Sequence, residues 1–255
     1  MLAVVSLGPT ACVDPEIDSE HGYIGPGESS VSLGVTFRAL SNGSLGATRS
    51  QKGDLIGTIG DVFVAWYTED GALAGSDYLP RDRMDVTDVE RPGSATELRT
   101  QRAEFQCRIP YGRYRIYAVA NMGDLSADAT LAARIGREED LRSIVQEWVD
   151  DPVGDNCQMA GYFTPNDSGG TRGEAPLLTV DAPRQRLHAW IRRLVSKVTV
   201  SFDTTGLYEN VYIYIKSARI RNIPRSCTLL DANDGKRIAD PAKDVIFAGD
   251  TIAYG

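Results

Sequence analysis

Between Ser30 and Leu40 the chain alternates without a break: Val31, Leu33, Val35 and Phe37 on one side, Ser32, Gly34, Thr36 and Arg38 on the other. Apolar residues two apart lie on one face of a strand and scatter around a helix, so this segment can bury one face only as a half-buried β-strand. The pattern recurs in other forms. Asp61–Thr68 (Asp-Val-Phe-Val-Ala-Trp-Tyr-Thr) is a continuous apolar run, as expected of a strand covered on both faces, and it stops at Glu69-Asp70-Gly71, a hairpin-type turn. Further strands are expected around 97–107, over Arg113–Asn121, Leu177–Val180, His188–Phe202 and Val211–Ile223. Pro110-Tyr111-Gly112 and Gly206–Asn210 serve as turns. Many short strands punctuated by turns predict a β-sandwich.

One stretch departs from period two. Leu141, Ile144, Val145 and Trp148 are spaced as one face of a helix, with Glu138, Glu139 and Asp140 in its first turn, where the helix dipole favours acids. A helical insertion is therefore expected within Asp128–Asp150, broken at Gly136 and ended before Pro152; its apolar face is read as a lid on the sheet. Asp77–Ser94 is charged and reads as irregular, and Ser41–Asp54, rich in small and polar residues, as an exposed loop. The first sandwich is expected over residues 30–193. Residues 194–255 then read as the start of a second, truncated one.

The N-terminus carries a different signal. Met1–Ala11 is apolar, ends in small residues and meets Cys12, as the tail of a secretory signal does at a lipoprotein cleavage site. The run falls far short of the ~20 residues of a membrane-spanning helix. It also lacks a charged start, so it reads as the remnant of a signal peptide. Cys12 is then the lipidated residue and 12–29, with its Asp, Glu, Pro and Gly, a flexible tether. This predicts export and attachment to the outer membrane through an N-terminal lipid. Of the other cysteines, Cys107 and Cys157 are one candidate disulfide pair, but buried free thiols are the simpler reading, also for Cys227.

Chemical machinery is hard to find. The formal net charge of −8 argues against a nucleic-acid partner. There is no G-x-S-x-G elbow. Gly25–Ser30 lacks the Gly-Lys-Ser/Thr ending of a phosphate loop. Asp231–Gly235 resembles the start of a calcium loop, but its glycine comes one place early and Ala242 stands where the bidentate Glu belongs. With only His21 and His188, and no C-x-x-C, no zinc site is expected. His188 reads as structural. Arg192 and Arg193 read as a solvated strand end, or as an anion site. No catalytic residue, metal or cofactor is assigned, and the chain is not read as an enzyme.

Five segments in order carry a resemblance: Cys12; Val31–Phe37 followed by Thr48-Arg49; Asp61–Tyr67 with Glu69-Asp70-Gly71; Ile109-Pro-Tyr-Gly-Arg-Tyr-Arg-Ile-Tyr-Ala-Val-Ala-Asn-Met-Gly123; and Arg193-Leu-Val-Ser-Lys-Val-Thr-Val200. The chain resembles the fimbrillin-like proteins of the Bacteroidales, which are fimbrial subunits and their anchors. The fourth segment matches that family's G-x-Y-x-x-x-x-V-A-N strand. The resemblance implies a transthyretin-like sandwich, repeated, and assembly by strand exchange. In that scheme Val31, Leu33, Val35 and Phe37 form an exchangeable strand. An arginine-specific protease cuts between Arg49 and Ser50, and a strand of another fimbrial subunit takes the vacated place. The implied location is the cell surface, with an adhesive or structural role in a stalk, tip or anchor. A surface module binding a glycan or another host or bacterial surface ligand is the alternative. It requires exposed aromatics gathered on one face, with Tyr78, Tyr111, Trp148 and Tyr162 as the candidates.

Overall fold

The computed structural model describes residues 24–37, 58–89, 100–147, 157–166, 174–194, 217–220, 226–231 and 245–248 of the 255-residue chain. The architecture is mainly β. Ten strands come first: β1 (Glu28–Phe37), β2 (Asp61–Tyr67), β3 (Leu73–Pro80), β4 (Asp85–Val89), β5 (Thr100–Pro110), β6 (Gly112–Ala120), β7 (Val145–Glu147), β8 (Met159–Thr164), β9 (Leu178–Val180) and β10 (Arg184–Arg193). Two short helices, α1 (Ala129–Ala132) and α2 (Glu138–Arg142), lie between β6 and β7. Short strands β11 (Ser217–Ile220), β12 (Ser226–Thr228) and β13 (Val245–Ala248) follow, β11 pairing with β13 and β12 with β7.

One mixed sheet runs in the order β3-β2-β6-β8-β10-β1-β5-β4, with β9 added beside β6. It curls so that its two halves face each other as a β-sandwich. The inner faces of β1, β5 and β10 meet those of β2, β6, β8 and β9 in one core that holds Leu33, Phe105, Ile191, Val64, Ile116 and Phe163. A second core lies on the opposite face of β2, β6 and β8. There Phe63, Tyr67, Tyr117 and Val119 are covered by Ile135, Leu141 and Ile144 of the helical segment and by Leu229 and Leu230. Strand β2 therefore has no solvent face, which is why its sequence is a continuous apolar run. Strand β5 has one, and alternates strictly: Ala103, Phe105, Cys107 and Ile109 are buried, Glu104, Gln106 and Arg108 exposed.

Two expectations need correction. The charged stretch from Asp77 is not irregular. It completes β3, forms a 3-10 turn at Arg81–Arg83 and then the edge strand β4. Edge strands are held by one ladder and are commonly charged, so they carry little apolar signal. The helix expected over Asp128–Asp150 is only α1 and α2. The chain leaves helical geometry after Arg142; Ile144 is buried, Val145 is exposed and begins β7, and Trp148 lies outside the described residues. Pairing of Val145 with Thr228 overrides the helical periodicity, since a few residues of helix are individually worth little against a tertiary ladder.

The Val119-Ala120-Asn121 ending of β6 has a structural explanation. Asn121 adopts a φ of 63°, a region that asparagine tolerates better than most residues. Its Oδ1 accepts from Gly60 N at 2.7 Å, and its Nδ2 donates to Thr58 O at 2.8 Å and Cys157 O at 2.7 Å. One side chain thus ties the ends of three segments.

Burial raises the pKa values of several described groups, most strongly those of Tyr67, Tyr117 and Cys107. The Tyr67 phenol donates to Ile135 O at 2.9 Å, and burial, then Glu138 and Asp140, push its pKa well above the usual 10.0. Tyr117 is raised by burial and by its hydrogen bond to the Glu138 carboxylate, while its oxygen accepts from Ala175 N at 2.8 Å. The Cys107 thiol is raised above the usual 9.0 by burial and by Asp77. These groups hold their protons in the fold at pH values where the unfolded chain has lost them. Their stabilisation is complete below pH 9.0 for the thiol and below 10.0 for the phenols, and declines above. Each should steepen the fall by about 1.4 kcal/mol per pH unit. Urea midpoints are expected to drop beyond about pH 10, less so in Tyr117→Phe; a flat profile to about pH 11 would contradict this.

Candidate functional site

The site is the slot that β1 fills. On one side β1 runs antiparallel to β5, with Leu33 opposite Phe105 and Val35 opposite Ala103. On the other it runs parallel to β10, with Leu33 beside Leu187 and Phe37 beside Ile191. A parallel neighbour is never reached by a tight turn, and nearly the whole sandwich lies between these two strands in sequence. The first strand of the described chain is thus an interior strand held by two long-range ladders.

Val31, Leu33, Val35 and Phe37 all point into the sandwich core and are at most 2% exposed. The structure brings these four predicted residues together on one face. The Phe37 ring also carries the Arg193 guanidinium 4.6 Å above its centroid, a cation–π contact. Arg192 is buried. The arginine pair is therefore packed into the sheet and does not form a solvated strand end. Cys12, Arg49 and Ser50 lie outside the described residues, as does His21.

The outer face of β1 was not singled out in the sequence. There Ser32 and Gly34 lie beneath a groove of about 680 Å³ that Arg102 and Glu104 of β5 and Arg186 and His188 of β10 also line, and Thr36 follows on the same face. His188 and Thr36 are both buried, and Thr36 Oγ1 hydrogen-bonds His188 Nε2 at 2.8 Å. The His188 ring also meets the Trp190 ring edge-on at 5.1 Å. Arg102 is paired with Glu104 at 2.7 Å. A glycine in mid-strand, as at 34, was the available sequence signal, because it commonly marks a close approach by another group.

The aromatic candidates do not gather on one face. Tyr78 and Tyr162 pack against the second core, Tyr111 packs against the first, and Trp148 lies outside the described residues. Cys107 carries a free thiol, so the candidate Cys107–Cys157 disulfide is not formed, and both residues are buried. Among the described residues no group of three or more His, Cys, Asp and Glu side chains is placed to hold a metal, and no helix is long and apolar enough to cross a membrane.

No protein-family model and no curated protein matches the chain. Among solved structures it is similar to a fimbrial assembly protein from Parabacteroides distasonis, at 13% identity and a TM-score of 0.44, over 78% of this chain and 66% of that one. It is also similar to the C-terminally truncated tip fimbrial protein Mfa3 from Porphyromonas gingivalis, at 14% identity and a TM-score of 0.32, over 62% of this chain and 48% of that one. The chain spans less than two thirds of the length of either structure. The solved structures to which it is similar include fimbrial proteins of the Bacteroidales, the group whose fimbrillin-like proteins its sequence resembles.

Proposed function

We infer that this chain is a structural or accessory subunit of a bacterial surface fimbria, in which β1 is a removable strand. The observation that carries the reading is the position of β1. It is interior, doubly paired and buried along one face, yet it is the first strand of the described sheet. Its removal would leave the facing backbone groups of β5 and β10 unpaired and an apolar slot open, the condition under which strand addition is favoured. Burial of each large apolar side chain of β1 contributes roughly 1.5–3 kcal/mol. The slot therefore demands an occupant.

In this reading Cys12 is lipidated after export and holds the precursor on the outer membrane. Cleavage between Arg49 and Ser50 by an arginine-specific protease frees β1, and a strand from another subunit enters. Residues 30–193 form the N-terminal sandwich and residues 194–255 begin a second. The role is structural or adhesive, without catalysis or a cofactor.

Treating the full-length chain with an arginine-specific protease tests this. The expected result is a cut at Arg49, release of the β1 fragment and growth of dimers and longer chains; Arg49→Gln should stay monomeric. A chain cut at Arg49 that keeps β1 and remains monomeric would count against removal of the strand.

A further inference from the structure

The slot offers apolar pockets to one face of β1, and on the outer face Gly34 and Thr36 are buried as well. Gly34 pairs with Glu104 on one side and His188 on the other. A β-carbon at position 34 would stand 3.3 Å from His188 Cδ2 and 3.5 Å from Arg102 Nη2. The first distance is already tighter than ordinary contact. The His188 ring has little freedom to yield, being buried, bonded to Thr36 and packed on Trp190. Glycine in mid-strand is unfavourable by itself, so its presence here matches the close approach. Two places on, Thr36 supplies the hydroxyl that His188 Nε2 meets at 2.8 Å, and Phe37 supplies the ring beneath Arg193.

We propose that the slot selects its occupant on both faces. The strand it accepts carries apolar residues at the Val31, Leu33, Val35 and Phe37 positions. It also carries glycine at position 34 under His188 and Arg102, a hydroxyl residue at 36 and an aromatic ring at 37. The partner is thus an extended peptide segment of the form apolar-x-apolar-Gly-apolar-Ser/Thr-aromatic. This rests on the strand-exchange reading and narrows it, because alternation alone describes a great many strands while the outward glycine and hydroxyl describe few. His188, Arg102 and Arg193 are the positioning residues that read it.

The test uses the full-length chain in mild urea with an excess of fluorescent peptides spanning residues 28–37, followed by removal of the urea and measurement of retained label. The native peptide should be retained. The Gly34→Val peptide should be retained about tenfold less, as expected for overpacking a closed site. A Thr36→Val peptide should fall between them. On a His188→Ala chain the gap between the native and Gly34→Val peptides should close. Equal retention of the native and Gly34→Val peptides, or a gap unchanged on the His188→Ala chain, overturns the selection while leaving strand exchange standing. Retention of no peptide overturns both. Should the His188→Ala chain fail to fold, Gly34→Val and Ser30→Val are compared in the intact chain. A midpoint lowered only by Gly34→Val supports the closed outer face, and equal midpoints overturn it.

Discussion

Leu33→Asp is expected to expel β1 from the sheet. Leu33 is 1% exposed, flanked by Phe105 and Leu187, and sits among the apolar residues of the sandwich core. Truncating such a leucine to alanine typically costs 2–5 kcal/mol. Aspartate adds the cost of burying a carboxyl group with no partner in apolar surroundings, where an ionised form is far more expensive still. Against a typical domain stability of 5–15 kcal/mol the loss is disabling. The readout is hydrogen exchange. Amides of β5 and β10 that face β1 should lose protection first, because their ladder partners have gone, while β2 and β6 are affected less. Ser30→Asp, on the exposed outer face of the same strand, should change stability by no more than about 0.5 kcal/mol. A Leu33→Asp chain within about 1 kcal/mol of the parent would show that β1 contributes little to the sheet.

Gly161→Ala should be the most damaging alanine substitution among the described glycines. A β-carbon at 161 would lie 2.2 Å from the Trp190 carbonyl oxygen and 3.1 Å from Ile191 Cα. Both obstacles are backbone, so no rotamer change relieves the overlap. The strand is also pinned on either side of the clash, by Phe163 paired with Ala189 and Ala160 paired with Arg192. Relief therefore requires β8 and β10 to separate, which breaks the sheet next to β1. Overpacking ordinarily costs 1–3 kcal/mol, and a rigid backbone obstacle places this site at or above the upper end, about 3 kcal/mol. The measurement is the urea midpoint at unchanged slope. Gly136→Ala is the matched control, because nothing lies within 4 Å of its β-carbon position and its φ is not positive. It should be neutral or stabilise by about 0.4–1 kcal/mol through the unfolded chain. A Gly161→Ala midpoint equal to that of Gly136→Ala would refute the account of β8.

These two sites differ in how they show in the sequence. Leu33 announces itself: it is one of four apolar residues two apart, and the structure buries all four. Gly161 lies in Met-Ala-Gly-Tyr-Phe-Thr, where nothing marks the approach of another strand's carbonyl. His188 shows both cases. Its structural character is legible from its place on a strand before Trp190, while its bond to Thr36, far away in sequence, is not.

By itself the sequence determined that β1, β2 and β6 are strands and which of their faces are apolar. Period-two alternation in β1, the two-sided apolar run of β2 and the aromatic, β-branched β6 are local properties that survive any tertiary arrangement. Tertiary structure alone decided who pairs with whom. It set β1 parallel to β10, made strands of the charged stretches at β3 and β4, turned Val145–Glu147 from helix to strand against β12, and folded Arg193 over Phe37. The physical reason is range. Alternation records whether a residue meets core or water, an average over neighbours, whereas register, edge pairing and the space His188 leaves at Gly34 depend on one particular partner brought in from elsewhere in the chain.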